Sequence, residues 1–207
     1  VMAVFPFIEP IKNKYSFLLS IFLNKIPKKI ELTNGDSINV ESFDFLVIIL
    51  KVLTYSTSYQ INNGKLELFF DTINKFTINI DKMSTSDKNI MGLLCDGLSD
   101  GANFTQNDNY LRDKTLKIST SNGKKIVETK DGIKFNLEYI DAGVFSETFV
   151  SNMHRMKIVD DFRDKIVIDI GANYGDTALY YANLGAKVYA IEMDNKIFDG
   201  MIVNLRS

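Results

Sequence analysis

The sequence KIVIDIGANYGDT, residues 165–177, decides the fold of this chain together with AKVYAIEMD, residues 186–194. Each stretch contains a run of apolar residues, which is typical of a buried β-strand. A glycine-bearing turn and the start of a helix follow the first run, and a carboxylate, Glu192, stands where the second run stops. The pattern therefore predicts two parallel strands joined by a helix, with their connecting loops at one edge of a sheet.

The predicted strands, 166–170 and 187–191, are apolar at successive positions rather than at alternate ones. Parallel strands that lie between two layers of helices have this composition, so we expect both strands to be central and buried. The intervening helix is predicted from Asp176 to Leu184, with Gly185 as its C-terminal stop. We therefore assign the fold class α/β, with residues 143–207 forming the first half of a Rossmann-like domain.

The first 142 residues are predicted to form a mixed α+β region. Its predicted helices cover 8–26, 41–55 and 87–98, and its first strands cover 66–70 and 76–80. A β-meander is predicted over 115–140, because Asn122-Gly123 and Asp131-Gly132 supply the positive φ values of two-residue hairpin loops. Its last strand, 133–140, alternates apolar and polar residues, which predicts one exposed face. We place a domain boundary near residue 142, where this pattern stops.

The composition limits the class of protein. Of the 207 residues, 45% are hydrophobic and 24% are charged, as in an ordinary globular protein. The 24 basic and 26 acidic residues give a net charge of −2, which argues against a nucleic-acid partner. The single cysteine, Cys95, fits a reducing compartment, and the apolar runs are shorter than a membrane helix. We expect a cytoplasmic protein with neither a nucleic-acid nor a membrane partner, and we interpret the lysines within 12–29 as a solvated face.

The candidate site residues lie in and beside the turn after the first strand. Gly171 and Gly175 permit the positive φ values and close backbone approach that a tight strand-to-helix turn requires. Asp169 is expected either to face the crevice at the strand ends or to cap the next helix. That helix points free amides into the crevice, where Thr177 adds a hydroxyl. Glu192 follows Asp169 at close to the spacing, roughly 20 residues, at which an acid accepts bonds from both hydroxyls of a ribose.

The same turn indicates the kind of ligand. A nicotinamide-binding turn reads Gly-x-Gly-x-x-Gly, whereas Asn173 takes the middle position here and Asp176 follows Gly175. A carboxylate at the start of the helix would repel a pyrophosphate, so we favour a cofactor without phosphates. S-adenosylmethionine fits, because it brings a ribose for Glu192, an ammonium for an acid or for backbone carbonyls, and a methyl group whose transfer needs mainly positioning.

The stretch DIGANYGDTALYYA from Asp169, with GAKVYAIE ending at Glu192, resembles the FkbM family of S-adenosylmethionine-dependent methyltransferases. The segment VFSETF, residues 144–149, is similar to a lead-in segment of archaeal members. The resemblance covers about 142–207 and implies O-methylation, often of sugars or secondary metabolites. Where this family commonly has a proline after the acid, the chain has Met193. The resemblance implies cofactor contacts at Asp169, Gly171, Asn173, Gly175 and Glu192, to which we add Ala172 and Thr177 of the same turn.

Several hypotheses stay open at this point. A methyltransferase of this fold continues through further strands, so we expect the chain to be an N-terminal fragment or the product of a degraded gene, without nameable catalytic residues. The methyl acceptor is expected to be a small molecule or a glycan. One alternative is a nicotinamide- or nucleotide-binding protein of the same fold. Another is a non-catalytic interaction module with a vestigial methyltransferase stub, whose incomplete sheet would be covered by a partner or by a second copy of the chain.

Overall fold

The computed structural model describes residues 5–70, 75–99, 103–105, 115–154 and 161–207. In these residues the chain is a mixed α/β protein with six α-helices, two small antiparallel sheets, one mixed four-stranded sheet and one two-stranded parallel sheet. It divides into two compact units, Val1–Met91 and Gly92–Ser207. The domain boundary placed near residue 142 from the sequence does not coincide with this division, since it falls inside the second unit.

The first unit combines helices with two small antiparallel sheets. One sheet pairs β1 with β2, and the other has the order β3-β4-β5. A short 3-10 helix at Phe5–Phe7 precedes these elements. In chain order they are α1 (Lys14–Phe22), β1 (Lys29–Glu31), β2 (Ser37–Asn39), α2 (Phe43–Tyr55), β3 (Ser58–Asn62), β4 (Lys65–Phe69), β5 (Lys75–Asn79) and α3 (Thr85–Ser99), which ends in the second unit.

The predictions for the first unit are confirmed in part. Helix α2 matches the predicted helix closely, and the Ser42 hydroxyl caps it by accepting from the Phe45 N–H at 3.1 Å. Helix α1 is shorter than the predicted 8–26, because Ile11 forms a β-bridge with Leu32 and Asn24 has a φ of 54°. Strands β1, β2 and β3 were not predicted from the sequence.

The second unit contains a four-stranded sheet, a parallel strand pair and three further helices. The four-stranded sheet has the order β6-β7-β8-β9, with β6 and β7 parallel and the other neighbours antiparallel. Strands β10 and β11 are parallel and in register from Ile166↔Lys187 to Ile170↔Ile191. The elements are β6 (Asn103–Thr105), β7 (Thr115–Ser121), β8 (Lys124–Thr129), β9 (Lys134–Asn136), α4 (Ala142–Phe149), β10 (Ile166–Ile170), α5 (Asp176–Asn183), β11 (Lys187–Ile191) and α6 (Asn195–Leu205).

The predicted β-meander exists, but its second half is wrong in two respects. Asn122 and Gly123 have φ values of 50° and 75°, as predicted for a two-residue hairpin loop. The next connection is longer, with Gly132 in the left-handed region and the Thr129 N–H donating to Ile133 O. Strand β9 stops at Asn136 rather than at 140, because the Asn136 side chain accepts from the Glu138 N–H at 3.0 Å and turns the chain.

The parallel pair lies where it was predicted, and α5 connects its two strands. The prediction that both strands are buried on both faces is wrong. The β10 side chains of Ile166, Ile168 and Ile170 are exposed, as are Tyr189 and Ile191 of β11. Helix α5 packs against the pair, but no described element of the second unit covers this apolar face. Self-association through it stays a prediction.

A single side chain, Asn204 of α6, ties three segments of the second unit together. Its Oδ1 accepts from the Asn136 N–H at 3.0 Å, and its Nδ2 donates to Tyr139 O at 2.7 Å and to Tyr174 O at 3.0 Å. Asn204 is 2% exposed, so these bonds form away from water. They fix α6 to the end of β9 and to the turn between β10 and α5. Close packing adds to this, because a Cβ at Gly200 would lie 2.8 Å from the Tyr139 and Tyr174 rings.

We expect Asn204→Ala to lower the free energy of unfolding by about 2–4 kcal/mol, because it leaves one amide and two carbonyls without their partner. Chemical denaturation followed by circular dichroism measures the change. The matched control is Asn195→Ala at the exposed start of the same helix, which should change stability by less than about 0.5 kcal/mol. Equal stabilities for the two variants would show that Asn204 does not hold the segments together.

Candidate functional site

The candidate site lies at the carboxyl ends of β10 and β11. The turn after β10 contains three left-handed residues, Gly171, Asn173 and Gly175, with φ values of 76°, 49° and 90°. Asparagine is the residue that most readily joins glycine in this region, which accounts for Asn173. The amides of Gly171 and Ala172 both donate to Ile191 O, at 2.8 and 3.0 Å. The turn after the first strand is thereby fixed against the end of the second.

Glu192, predicted to hold a ribose, accepts hydrogen bonds from both loops at this edge. Its Oε2 accepts from the Asn173 N–H at 2.9 Å, and its Oε1 accepts from the amides of Met193 and Asp194 at 2.7 and 2.8 Å. The bonds from Asp194, Asn173 and Met193 lower the pKa of Glu192, which keeps it ionised. The Asp194 side chain in turn caps α6 by accepting from the amides of Lys196 and Ile197.

These bonds change what Glu192 can offer a ligand. A carboxylate has about four acceptor positions, and the three backbone amides occupy all but about one. The position that remains is on Oε2, the oxygen that bonds the glycine turn. The sequence predicted that Glu192 would accept bonds from both ribose hydroxyls. In this arrangement it can accept one hydroxyl unless a backbone amide gives way.

The residues of the turn divide into those that face open space and those that pack inside. A Cβ placed on Gly171 would meet no atom within 4 Å, so a ligand can approach this backbone closely. A Cβ on Gly175 would lie 3.0 Å from Met201 Cγ, and Ala172 is buried. Gly175 and Ala172 therefore serve packing, whereas Gly171 borders the crevice. Thr177 is half-buried, and its hydroxyl makes no hydrogen bond to a described residue.

Asp169 and Asp176 belong to a polar cluster between α4, β10 and α5, which we define as Thr148, His154, Asp169, Asp176 and Tyr181. Thr148, Asp176 and Tyr181 are buried, and His154 and Asp169 are half-buried. Thr148 Oγ1 lies 3.4 Å from Asp176 Oδ2, and the Tyr181 hydroxyl donates to His154 O at 2.9 Å. Asp169 Oδ2 and His154 Nε2 are enclosed without a hydrogen-bond partner among the described residues. The sequence allowed Asp169 either to face the crevice or to cap the helix; one of its oxygens instead points into this cluster.

Asp176 does not face the crevice as the sequence predicted. Its side chain was expected to repel a pyrophosphate from the helix start, but it is 3% exposed and lies against α4. Burial raises the pKa of Asp176 to about 6, and the nearby Asp169 carboxylate adds to this rise. Burial also raises the pKa of Asp169. Asp176 therefore cannot serve as the charge that selects against phosphate.

Thr148 partly offsets the effect of burial on Asp176. Its hydroxyl donates to Val144 O at 2.9 Å and lies 3.4 Å from Asp176 Oδ2. The contact with Thr148 lowers the pKa of Asp176 and so opposes part of the rise that burial causes. Residue types alone gave no signal for this pairing, since Thr148 and Asp176 are far apart in the chain.

Acidic residues outnumber basic ones near the crevice. Between Ile166 and Lys196 the sequence has four acidic residues, of which Asp169 and Asp176 belong to the polar cluster, and two basic residues, Lys187 and Lys196. Lys196 is exposed in the first turn of α6. Lys187 begins β11, so it lies at the amino end of the pair, and its Nζ is 5.2 Å from the centre of the Tyr189 ring. Over four strand residues this end is about 13 Å from the crevice. No group of three or more His, Cys, Asp or Glu side chains in the described residues is arranged to hold a metal ion.

Met193 borders the crevice next to Glu192, and the sequence predicted no ligand contact for it. Its side chain is 95% exposed, and that of Ile170, at the end of the neighbouring strand, is 80% exposed. Two exposed apolar side chains at the edge of a polar crevice could contact the flat face of a ligand ring. The one feature of the sequence that could have indicated this contact is that Met193 directly follows the acid.

Comparisons of the chain with protein-family models, with curated proteins and with solved structures find no match.

We expect Asp176→Asn to stabilise the protein near neutral pH. A pKa raised from 3.8 to about 6 means that the folded state holds this proton more tightly, so its stabilising effect is complete below 3.8 and is lost as the pH rises through 6. The loss amounts to about 3 kcal/mol, from about 1.36 kcal/mol per pH unit. Asparagine is neutral at every pH, so the variant should gain up to this amount at neutral pH and little in acid.

Urea denaturation of the variant and of the parent at a pH below 3.8 and at a pH above about 6 measures the difference in their free energies of unfolding. Asp131→Asn in the exposed loop between β8 and β9 is the matched control and should change stability by less than about 0.5 kcal/mol at either pH. An Asp176→Asn variant that is less stable than the parent at neutral pH would show that the ionised carboxylate supports the fold.

Proposed function

We propose that residues 143–207 form the cofactor-binding half of a Rossmann-like methyltransferase that uses S-adenosylmethionine. The observation that carries this proposal is the bond from the Asn173 N–H to Glu192 Oε2. It joins the glycine turn of β10 to the acid at the end of β11, so both border one crevice. In folds with parallel strands, ligands bind at the carboxyl ends of the strands, where two loops diverge.

The geometry suits the ribose of an adenosine. Glu192 is kept ionised and retains about one acceptor position on Oε2, which can receive a ribose hydroxyl. Gly171, on the other side of the same crevice, leaves space where any other residue would place a Cβ. Met193 and Ile170 offer exposed apolar surface for the adenine ring. These features support a ligand that is flat and apolar at one end and carries hydroxyls beside it.

Charge supports S-adenosylmethionine over a dinucleotide. This cofactor carries an ammonium and a sulfonium, whereas a dinucleotide carries a pyrophosphate. The carboxyl edge of the strand pair has the ionised Glu192 beside the glycine turn. The basic residues of 166–196 are Lys187, at the opposite end of β11, and the exposed Lys196 in the first turn of α6. An ionised carboxylate in the crevice attracts a cation and repels an anion. Asp176 does not contribute to this selection, because its side chain is buried against α4.

When bound, S-adenosylmethionine supplies an electrophilic methyl group, and transfer needs mainly in-line positioning of the acceptor. The resemblance to the FkbM family favours an acceptor hydroxyl on a sugar or small metabolite. The residues of this chain account for cofactor binding, through Glu192, Gly171 and Asn173. We assign no residue to deprotonation of the acceptor.

One observation favours a nucleotide-binding protein as a second candidate. The amides of Thr177 and Ala178, in the first turn of α5, donate to no acceptor among the described residues, and a helix start with free amides can bind a phosphate. This candidate predicts that NAD or a nucleotide binds more tightly than S-adenosylhomocysteine. The acidic crevice opposes it.

Calorimetric titration with S-adenosylhomocysteine, the stable product form of the cofactor, tests the proposal. We expect micromolar binding that is lost in Gly171→Asn, because asparagine tolerates the left-handed φ but fills the space a ligand needs. Gly123→Asn is the matched control: its φ is 75°, its Cβ would also meet no atom within 4 Å, and it lies in the β7–β8 loop. The control should bind as the parent does.

Glu192→Gln should lower the affinity for S-adenosylhomocysteine by about 10- to 100-fold, the effect of losing one charge-assisted hydrogen bond of about 1.5–3 kcal/mol. NAD, titrated in parallel, should not bind measurably. Tighter binding of NAD than of S-adenosylhomocysteine would favour the nucleotide-binding candidate. A folded protein that binds neither ligand would contradict both and favour a non-catalytic interaction module.

A further inference from the structure

Helix α1 and the residues after it present an apolar surface to solvent. Phe17 and Ile21 are buried on one side of the helix, while Tyr15, Leu19 and Phe22 are exposed on another. These three are spaced by four and three residues, as expected for one side of a helix. Leu23 and Ile26 extend the surface beyond the helix end. We define the α1 surface by these exposed side chains: Tyr15 (90% exposed), Leu19 (59%), Phe22 (75%), Leu23 (56%) and Ile26 (47%).

Lysines occur throughout the segment that forms this surface, and no acid lies among them in the sequence. Residues 10–30 contain five lysines and neither Asp nor Glu. Two of these lysines have acidic partners outside the stretch: Lys14 Nζ is 2.7 Å from Glu9 Oε2, and Lys12 Nζ is 3.8 Å from Glu31 Oε2. The other three, Lys25, Lys28 and Lys29, are exposed and have no carboxylate partner among the residues that the structure describes. The chain as a whole has a net charge of −2, so this positive charge is local.

A shallow apolar groove continues the α1 surface at its C-terminal side. Its volume is about 250 Å³, and its lining residues are Ile21, Asn24, Lys25, Ile26 and Phe43. Exposed apolar groups, a groove between them and lysines around them therefore occur together within the first unit.

We propose that residues 12–29 form a docking surface for a membrane that contains anionic lipids, with α1 lying parallel to the bilayer. The apolar side chains would enter the boundary between headgroups and acyl chains, and the lysines would contact lipid phosphates and carboxylates. Tyr15 and Phe22 provide aromatic rings at the depth where such rings are favoured. No helix in the described part of the chain is long and apolar enough to cross a membrane, so the proposed mode is surface attachment.

Charge complementarity selects this occupant over the others. A nucleic acid would satisfy the lysines but would leave Leu19, Leu23 and Ile26 exposed to water. A second copy of the chain would cover the apolar side chains but would bring the same lysines into repulsion. An anionic bilayer satisfies both features at once. This proposal revises the expectation that the chain has no membrane partner, which rested on the absence of a long apolar run.

Flotation of the full chain with lipid vesicles tests the proposal. We expect binding to vesicles of phosphatidylcholine mixed with phosphatidylserine, weaker binding as salt is raised, and little binding to phosphatidylcholine alone. Leu19→Ser combined with Phe22→Ser should lower the partition coefficient at least about tenfold, because each side chain loses its apolar contact. Both side chains are exposed, so circular dichroism should show an unchanged fold.

The lysines are tested by a triple change to glutamine at Lys25, Lys28 and Lys29. Each lysine near an anionic surface contributes about fivefold, so the triple variant should bind about 100-fold more weakly. The matched control removes the same net charge from three exposed lysines of the second unit: Lys124, Lys134 and Lys187. It should bind within about threefold of the parent if the α1 surface is the site.

Three results would overturn the proposal. The first is no binding to either vesicle composition. The second is equal loss of binding in the lysine variant and in its matched control, which would indicate adsorption through overall charge. The third is a concentration-dependent dimer in analytical ultracentrifugation that Phe22→Ser dissociates, in a protein that does not float with vesicles. That result would assign the α1 surface to a second copy of the chain.

Discussion

The three hydrogen bonds of the Asn204 side chain are the constraint on which the second unit depends. They hold α6 to the end of β9 and to the turn that follows β10. That turn carries Gly171 and Asn173, so the candidate site is fixed in place by a residue that does not border it. The buried Asn204 amide stabilises the fold because it pairs with one backbone donor and two backbone acceptors, each of which would otherwise be buried without a partner. The sheet of β6–β9 is therefore connected to the turn after β10 through α6.

At the candidate site, too, the hydrogen bonds of one side chain hold separate segments together. Glu192 uses most of its acceptor capacity on backbone amides, so its first role is to align the two loops. What remains is about one acceptor position, an open approach at Gly171 and an acidic crevice. Asp169 and Asp176 belong to the neighbouring polar cluster, where burial raises the pKa of both carboxyl groups. The half-buried Glu192 is thus kept ionised at the crevice, whereas Asp176 is buried and Asp169 has one enclosed oxygen.

The sequence predicted local structure well wherever one residue dictates a backbone conformation. The glycine turn, α5 and the Asn122-Gly123 hairpin are confirmed, because positive φ values limit the choice of residue there. It failed at a turn without glycine and where distant contacts decide. Asn136 ends β9 by a local turn in which its side chain accepts from the Glu138 N–H, and its own backbone N–H donates to Asn204 of α6, 68 residues away. Ile168 was predicted buried from its apolar neighbours, yet the described second unit has no layer to cover it.

A two-dimensional ¹⁵N–¹H spectrum of the chain, titrated with S-adenosylhomocysteine, shows where the ligand contacts the protein. We expect the largest shifts at the amides of Gly171, Asn173 and Met193, because a hydroxyl on Glu192 Oε2 alters the bond from Asn173 and a ligand enters beside Gly171. Shifts confined to other parts of the chain, or an unchanged spectrum with excess ligand, would rule out a site at the carboxyl ends of β10 and β11.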